Sequence, residues 1–399
     1  LVTYHGKEYT MSKNAQVHEG QVMVPIREFS EKVLGKYVLS DGYGMIITAD
    51  QKINFNLEKE IPEILKTENK YSHSYLRSLN WYLFFERPTA AQLRSEWEKV
   101  HGGLKAQHPR LYCTADDINN IKKLRTSHEI YATWVERVLS SADALLDSET
   151  EGYYYSYSTY QMLDQARAVL NKMEHWGLAY QLTGDRKYSD RAWNELEAVG
   201  KWPDWNPIHA LDHAEMEMAY AIGYDLMYDA FSQEQRDKIW EIVSKKGMTI
   251  TRGCYYGRIA GGYHQADETD RFAKWKSNFN TVINSGGICA AIAFAEYDPD
   301  MCFDMIEKGI RSLEYTCIGF EPGGAWCEGA TYWNYLVSYL ARSMPSLVNN
   351  FGTEFGLMYY QGMENMGYFL EAMSSAQGTN PFHDAVGGKS GGNYLNFVG

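Results

Sequence analysis

The chain has no apolar run long enough to cross a bilayer. Its longest, Ile288 to Ala295, is far short of the roughly 18 to 20 residues that a spanning helix needs. Positive charge is also scarce, with 38 Lys and Arg against 51 Asp and Glu and a formal charge of -13. General nucleic-acid binders depend on clustered cations that displace counterions from phosphates, so that class is disfavoured. A polyanionic ligand must instead meet a local basic patch. Cys113, Cys254, Cys289, Cys302, Cys317 and Cys327 form no C-x-x-C pair and no Cys/His cluster of zinc-finger spacing. No signal-peptide pattern opens the chain at Leu1. A P-loop is missing too: Gly388, Lys389 and Ser390 are preceded by His383 where its first glycine belongs. Gly388 to Gly392 matches G-x-S-x-G in letters alone, since neither Asp nor His follows Ser390 to complete a hydrolase triad.

What is present is the composition of a folded protein, 45% hydrophobic and 22% charged over 399 residues, enough for two or three domains. Aromatic content is high at 14%, with 31 Tyr and 11 Trp. Such residues either thicken a core or supply flat faces on which sugar rings stack.

Residues 1–57 carry short alternating runs, Leu1 to Tyr4, Val22 to Pro25 and Met45 to Thr48, separated by Gly-containing turns and interrupted by a short helix from Pro25 to Leu34. With its Gly6-Lys7 turn and the glycine-rich hairpin at Asp41 to Gly44, this segment resembles the small stalk-like domain named after the copper amine oxidase N-terminus. The name implies no copper here. Residues 58–105 are mixed and polar and read as a connecting region.

Beyond them the pattern turns helical. Thr114 with Asp117 and Ser232 with Gln235 are capping-box pairs, and Asn206 before Pro207 places a cap ahead of a first-turn proline. Apolar residues three or four apart predict helices at 114–127, 130–147, 158–183, 187–200, 209–229, 232–250, 279–297, 299–317, 329–350 and 354–375. About five helical hairpins without intervening strands are expected to pack helix on helix, as a solenoid or closed toroid. The long gap from Tyr255 to Ser277 holds Arg258, Tyr263, His264, Arg271, Lys274, Trp275 and Lys276, and loops of that length are often functional.

His209 and His213 stand four apart on a helix with Asp212 and Glu215 nearby. That spacing suits a shared face, whether for hydrogen bonding, for lining a cleft or for a metal, although the H-E-x-x-H position of the Glu is not met. Two further segments enter helices from loops: Trp275 to Gly287, containing Asn278 and Asn280, and Glu321 to Tyr335, containing Glu328, Tyr332 and Trp333. Such helix starts gather at one end of an antiparallel bundle, although Asn and Glu also serve as caps and Trp as core.

Together with Trp205 to Glu215 and His108 to Tyr112, these segments resemble the heparinase II/III-like superfamily of polysaccharide lyases over residues 106–385. The resemblance implies an incomplete (α/α) toroid followed by a C-terminal β-sandwich, and β-elimination on a uronic acid without a cofactor. It assigns Tyr332 as base or acid and Asn278 as the group that neutralises the sugar carboxylate. Chemistry asks for both, because the C5 proton is acidic only if the developing enolate is stabilised, and a phenol needs a neighbouring donor or cation to act near neutral pH. His209, Asp212, Tyr263, His264, Arg271, Trp275, Lys276, Asn280, Glu328 and Trp333 are the expected substrate-binding residues. The implied partner is an acidic polysaccharide, a glycosaminoglycan in preference to alginate, and the implied location is the secreted or surface side of a bacterial cell.

No run of strands follows the helices before Gly399, so residues 386–399 read as an exit segment toward a missing β-sandwich, which in relatives brings a histidine and sometimes a metal. The chain is thus expected to be a fragment. Two rival functions stay open: an α/α-barrel glycoside hydrolase using Asp212 or Glu215 with Glu328, and a noncatalytic carbohydrate-binding protein.

Overall fold

Short alternating runs near the N-terminus pair locally, as their period of two requires. A computed structural model describes residues 2–4, 6–14, 16–18, 21–23, 25–40, 46–49, 87–105, 107–156, 161–256, 272–375 and 378–379. The chain divides into two compact units, Leu1–Phe85 and Glu86–Gly399. In the first, β1 (Val2–Tyr4) pairs with β2 (Lys7–Tyr9), β3 (Gln16–His18) with β4 (Gln21–Met23) and β5 (Tyr37–Ser40) with β6 (Ile46–Ala49), all antiparallel. Each pair is a separate two-stranded hairpin. Between them a single helical turn, α1 (Ile26–Glu28), runs on into a wider π-turn at Phe29–Val33.

The second unit is mainly helical. Its first helix, α2 (Ala90–His101), lies inside the stretch read as a connection. Thr89 and Gln92 form a capping box there, a signal present in the sequence but passed over. Then follow α3 (Ala115–Leu124), α4 (Glu129–Leu146), α5 (Leu163–Thr183), α6 (Arg186–Gly200) and α7 (Leu211–Leu226). The chain continues through α8 (Gln233–Val243), α9 (Thr249–Tyr255), α10 (Asn278–Ala293), α11 (Pro299–Gly319), α12 (Ala330–Phe351) and α13 (Met366–Ala372). The capping boxes at Thr114 and Ser232 form as read. The helix expected at 354–375 does not run through: Gly356 and Gly362 take φ of +81° and +94° and break it into 3-10 turns before α13.

Helices distant in the chain pack side by side, α5 on α7, α7 on α10 and α10 on α12, while α6 and α11 cover them. Every residue of α7 is buried, and so is nearly all of α10. Helices buried on all sides belong between neighbours on all sides, and the acidic residues of α7 lie inside the bundle with them. Gly286 allows α10 to approach α7 closely, since a Cβ there would lie 2.6 Å from the Ala214 carbonyl oxygen. The segment before α3 is pinned to the same core. Asp225 on α7 accepts from the backbone N–H groups of Arg110 and Leu111 at 3.0 and 2.9 Å, and His108 Nδ1 lies 2.6 Å from it.

Candidate functional site

Side-by-side packing of these helices gathers the N-terminal ends of α5, α7, α10 and α12. The contacts between their first turns define the site. Ser277 precedes α10 without capping it through its side chain, and Glu328, from the loop before α12, takes over that task. Its Oε2 accepts from the Asn278 backbone N–H at 2.8 Å and from Trp326 Nε1 at 2.9 Å, and its Oε1 accepts from Asn278 Nδ2 at 2.9 Å. A carboxylate at a helix N-terminus is favoured by the helix dipole. The remaining amide atom, Asn278 Oδ1, is buried without a hydrogen-bond partner. Tyr332, half-buried in the first turn of α12, follows Glu328 by one turn.

The entrance to α7 is built differently from the cap expected at Asn206-Pro207. Asn206 has φ +50° and spends its side-chain amide on Asp212 Oδ2 at 2.5 Å. At Ala210, φ +68° and ψ -37°, the Leu211 N–H bonds the His209 carbonyl at 2.9 Å. This γ-turn with positive φ is a strained conformation for alanine, and strain of that kind collects at functional sites. The turn aims His209 inward: its Nδ1 lies 3.1 Å from Asp212 Oδ2, its Nε2 3.2 Å from Gln161, and its ring meets Phe279 edge-on at 5.7 Å. Asp212 Oδ1 is a second buried acceptor without a partner.

One turn deeper, Glu215 is fully buried and ties three helices together. Its Oε1 accepts from Arg167 Nε of α5 at 3.1 Å and, through a short hydrogen bond, from the Tyr335 hydroxyl of α12. Burial raises the Glu215 carboxyl above its ordinary value, opposed by Arg167, Tyr335 and Tyr339. The Tyr335 phenol is pushed far up, by burial first and by Glu215 second. Tyr335 is therefore a fixed donor rather than a base.

His213, although four residues from His209, joins another group. Its Nε2 lies 3.2 Å from Thr251 Oγ1, which donates to Glu217 Oε2 at 2.6 Å. That donation leaves His213 Nε2–H as the donor to Thr251. Burial and then His209 lower His213 to about 3, while burial raises Glu217 to about 8. The two histidines thus have different partners, and no His, Cys, Asp or Glu cluster among the described residues could hold a metal ion.

Several expected binding residues are placed elsewhere. Asn280 is fully buried and its amide is consumed inside the helix bundle: Nδ2 donates to the Phe272 carbonyl and Ser312 at 2.8 and 3.0 Å, and Oδ1 accepts from Thr316 at 2.7 Å. Trp333 is also fully buried, so its ring fills the core rather than offering a face to a sugar. Asn280 stands in a helix that is almost wholly buried, and Trp333 on the buried face of α12, circumstances that motif spacing does not reveal. Trp275 is 36% exposed and packs at 5.8 Å on Phe279, with Lys276 half-buried beside it. Tyr263, His264, Arg271 and Arg258 lie outside the described residues, as do His383 and the Gly388 motif. As hydrolase acid, Glu328 is poorly placed, since both its oxygens already accept from the α10 entrance.

Sequence reading passed over Arg167 and Tyr335. A signal existed in the matched three-residue spacings, Asp212 to Glu215 and Tyr332 to Tyr335, which put each pair on one helix side. No protein-family model matches the chain, and no curated protein matches it.

Proposed function

We propose that the Glu86–Gly399 unit is an incomplete (α/α) toroid and that it cleaves an acidic, uronate-containing polysaccharide by β-elimination. The carrying observation is the Glu328 carboxylate. Its bonds to Asn278 fasten the α10 entrance to the loop that ends, one turn later, in Tyr332. Two segments 50 residues apart are thus held as one unit with an amide and a phenol on it.

In this reading Tyr332 removes the proton from C5 and passes a proton to the departing O4, leaving a C4–C5 double bond. The negative charge that builds on the uronate carboxylate falls at the N-terminus of α10, where Asn278 Nδ2 keeps a second N–H beyond the one given to Glu328. Fixed donors at a developing charge stabilise it without reorganisation. His209, held by Asp212 and Gln161, borders the same entrance. Trp275 offers the stacking face. A secreted or surface location suits a polymer of that size, and the N-terminal hairpins form an accessory module.

Product mass separates this reading from its rivals. Incubation with heparan sulfate, chondroitin, hyaluronan and alginate oligosaccharides is expected to give fragments whose summed mass equals that of the parent. Fragments heavier by one water indicate hydrolysis, and an unchanged parent that still binds indicates a noncatalytic carbohydrate-binding protein.

A further inference from the structure

On Tyr335, three residues along α12 from Tyr332, rests an arginine that the β-elimination scheme does not use. Arg167 leaves 46% of its side chain exposed, yet it is held at two points. Its Nε donates to the fully buried Glu215, and its guanidinium lies 4.8 Å above the centre of the Tyr335 ring. Exposed arginines ordinarily keep several rotamers. Here a carboxylate from α7 and a phenol from α12 lock the stem, while a guanidinium has five N–H donors in a planar fork and these contacts use few of them. The position matters as well. Tyr335 is three residues from Tyr332 and Glu215 three from Asp212, so the guanidinium stands one turn from both on the same helix sides. The unpartnered acceptors there, Asp212 Oδ1 and Glu215 Oε2, are sealed from solvent, whereas the half-exposed Arg167 guanidinium is a group that a bound saccharide can reach.

We propose that Arg167 is a specificity-determining residue that grips an anionic substituent, carboxylate or sulfate, of the saccharide bound at the Tyr332 site. The proposal rests on the polysaccharide reading for the nature of the ligand. A fork fixed before binding loses little entropy when it pairs with an oxyanion, which is how a partly exposed charge becomes selective. Glu215 acts through Arg167 as a positioning residue and also moderates its charge.

The test is binding, measured by calorimetry on the full chain carrying Tyr332→Phe so that turnover plays no part. The probes are the oligosaccharide of the heparan sulfate, chondroitin, hyaluronan and alginate set that binds best, its carboxyl-reduced form and, where it is sulfated, its desulfated form. Adding Arg167→Gln is expected to weaken the anionic probe about tenfold or more, the scale of one charge-assisted pair. The form lacking the recognised anion is expected to bind both proteins alike, and which form that is names the group. Glu215→Gln, which keeps the stem's acceptor and removes the opposing charge, is expected to retain or tighten the anionic probe. Equal weakening of every probe by Arg167→Gln overturns the proposal while leaving the lyase reading intact. Charge-selective loss without eliminated products in the Tyr332 protein keeps the subsite and sinks the lyase reading. Absence of binding by every probe overturns both.

Discussion

Replacing Glu217 by Gln should change the pH dependence of stability in a direction that burial alone dictates. The carboxyl rises from 4.5 to about 8, with burial the dominant cause and the Thr251 hydroxyl opposing it. An acid so raised holds a proton in the folded chain that the unfolded chain releases, so its contribution is intact below pH 4.5 and is lost as pH rises toward 8. Each pH unit in that window costs about 1.4 kcal/mol, and the whole window about 5 kcal/mol. His213 acts in the opposite sense. Lowered from 6.5 to about 3, it is neutral when folded, so stability falls as pH drops from 6.5 toward 3. The two windows overlap from pH 4.5 to 6.5, where the opposing slopes cancel, so wild-type stability should be level there and fall on either side, and Glu217→Gln should abolish the alkaline fall and let stability rise up to pH 6.5. Urea unfolding of both proteins from pH 5 to 7.5 measures this. A wild-type-minus-variant difference that stays constant over the series would refute the reasoning.

Three other substitutions probe the architecture around the site. Glu328→Ala strands Asn278 N–H, Asn278 Nδ2 and Trp326 Nε1, so a loss of about 3 kcal/mol in unfolding free energy is expected along with loss of turnover; a variant as stable as wild type would remove Glu328 as the cap of α10. Gly286→Ala drives a methyl toward the Ala214 carbonyl and should cost about 1 to 3 kcal/mol, read as a lowered thermal midpoint. The tryptophans should separate: Trp333→Ala opens a core cavity costing about 3 to 5 kcal/mol, whereas Trp275→Ala should leave the midpoint nearly unchanged and weaken saccharide binding. Equal destabilisation by the two would contradict their placement.

The helical character of the second unit was legible because amphipathic periodicity and capping boxes are local, as at Thr114 and Ser232. Less legible was the end of the chain's helical pattern, where Gly356 and Gly362 override apolar spacing. At the site, sequence correctly drew attention to the 278 and 328–332 segments, but it could not tell an amide that caps from one that is consumed. Asn278 and Asn280 look alike in sequence. Only the packing of α11 against α10 shows that Ser312 and Thr316 exhaust Asn280. Arg167 was illegible for the same reason, since its partners lie 48 residues away on α7 and on α12. The γ-turn at Ala210 has no glycine to announce it.

The most direct test of the central claim is the ultraviolet absorbance of the C4–C5 unsaturated uronate during incubation with heparan sulfate, chondroitin, hyaluronan and alginate, for wild type and Tyr332→Phe side by side. The account predicts a steady rise with at least one polymer that is abolished in the variant. A rise of equal rate in both proteins would contradict the role of Tyr332, and a flat trace from wild type on a polymer that it visibly shortens would contradict β-elimination itself.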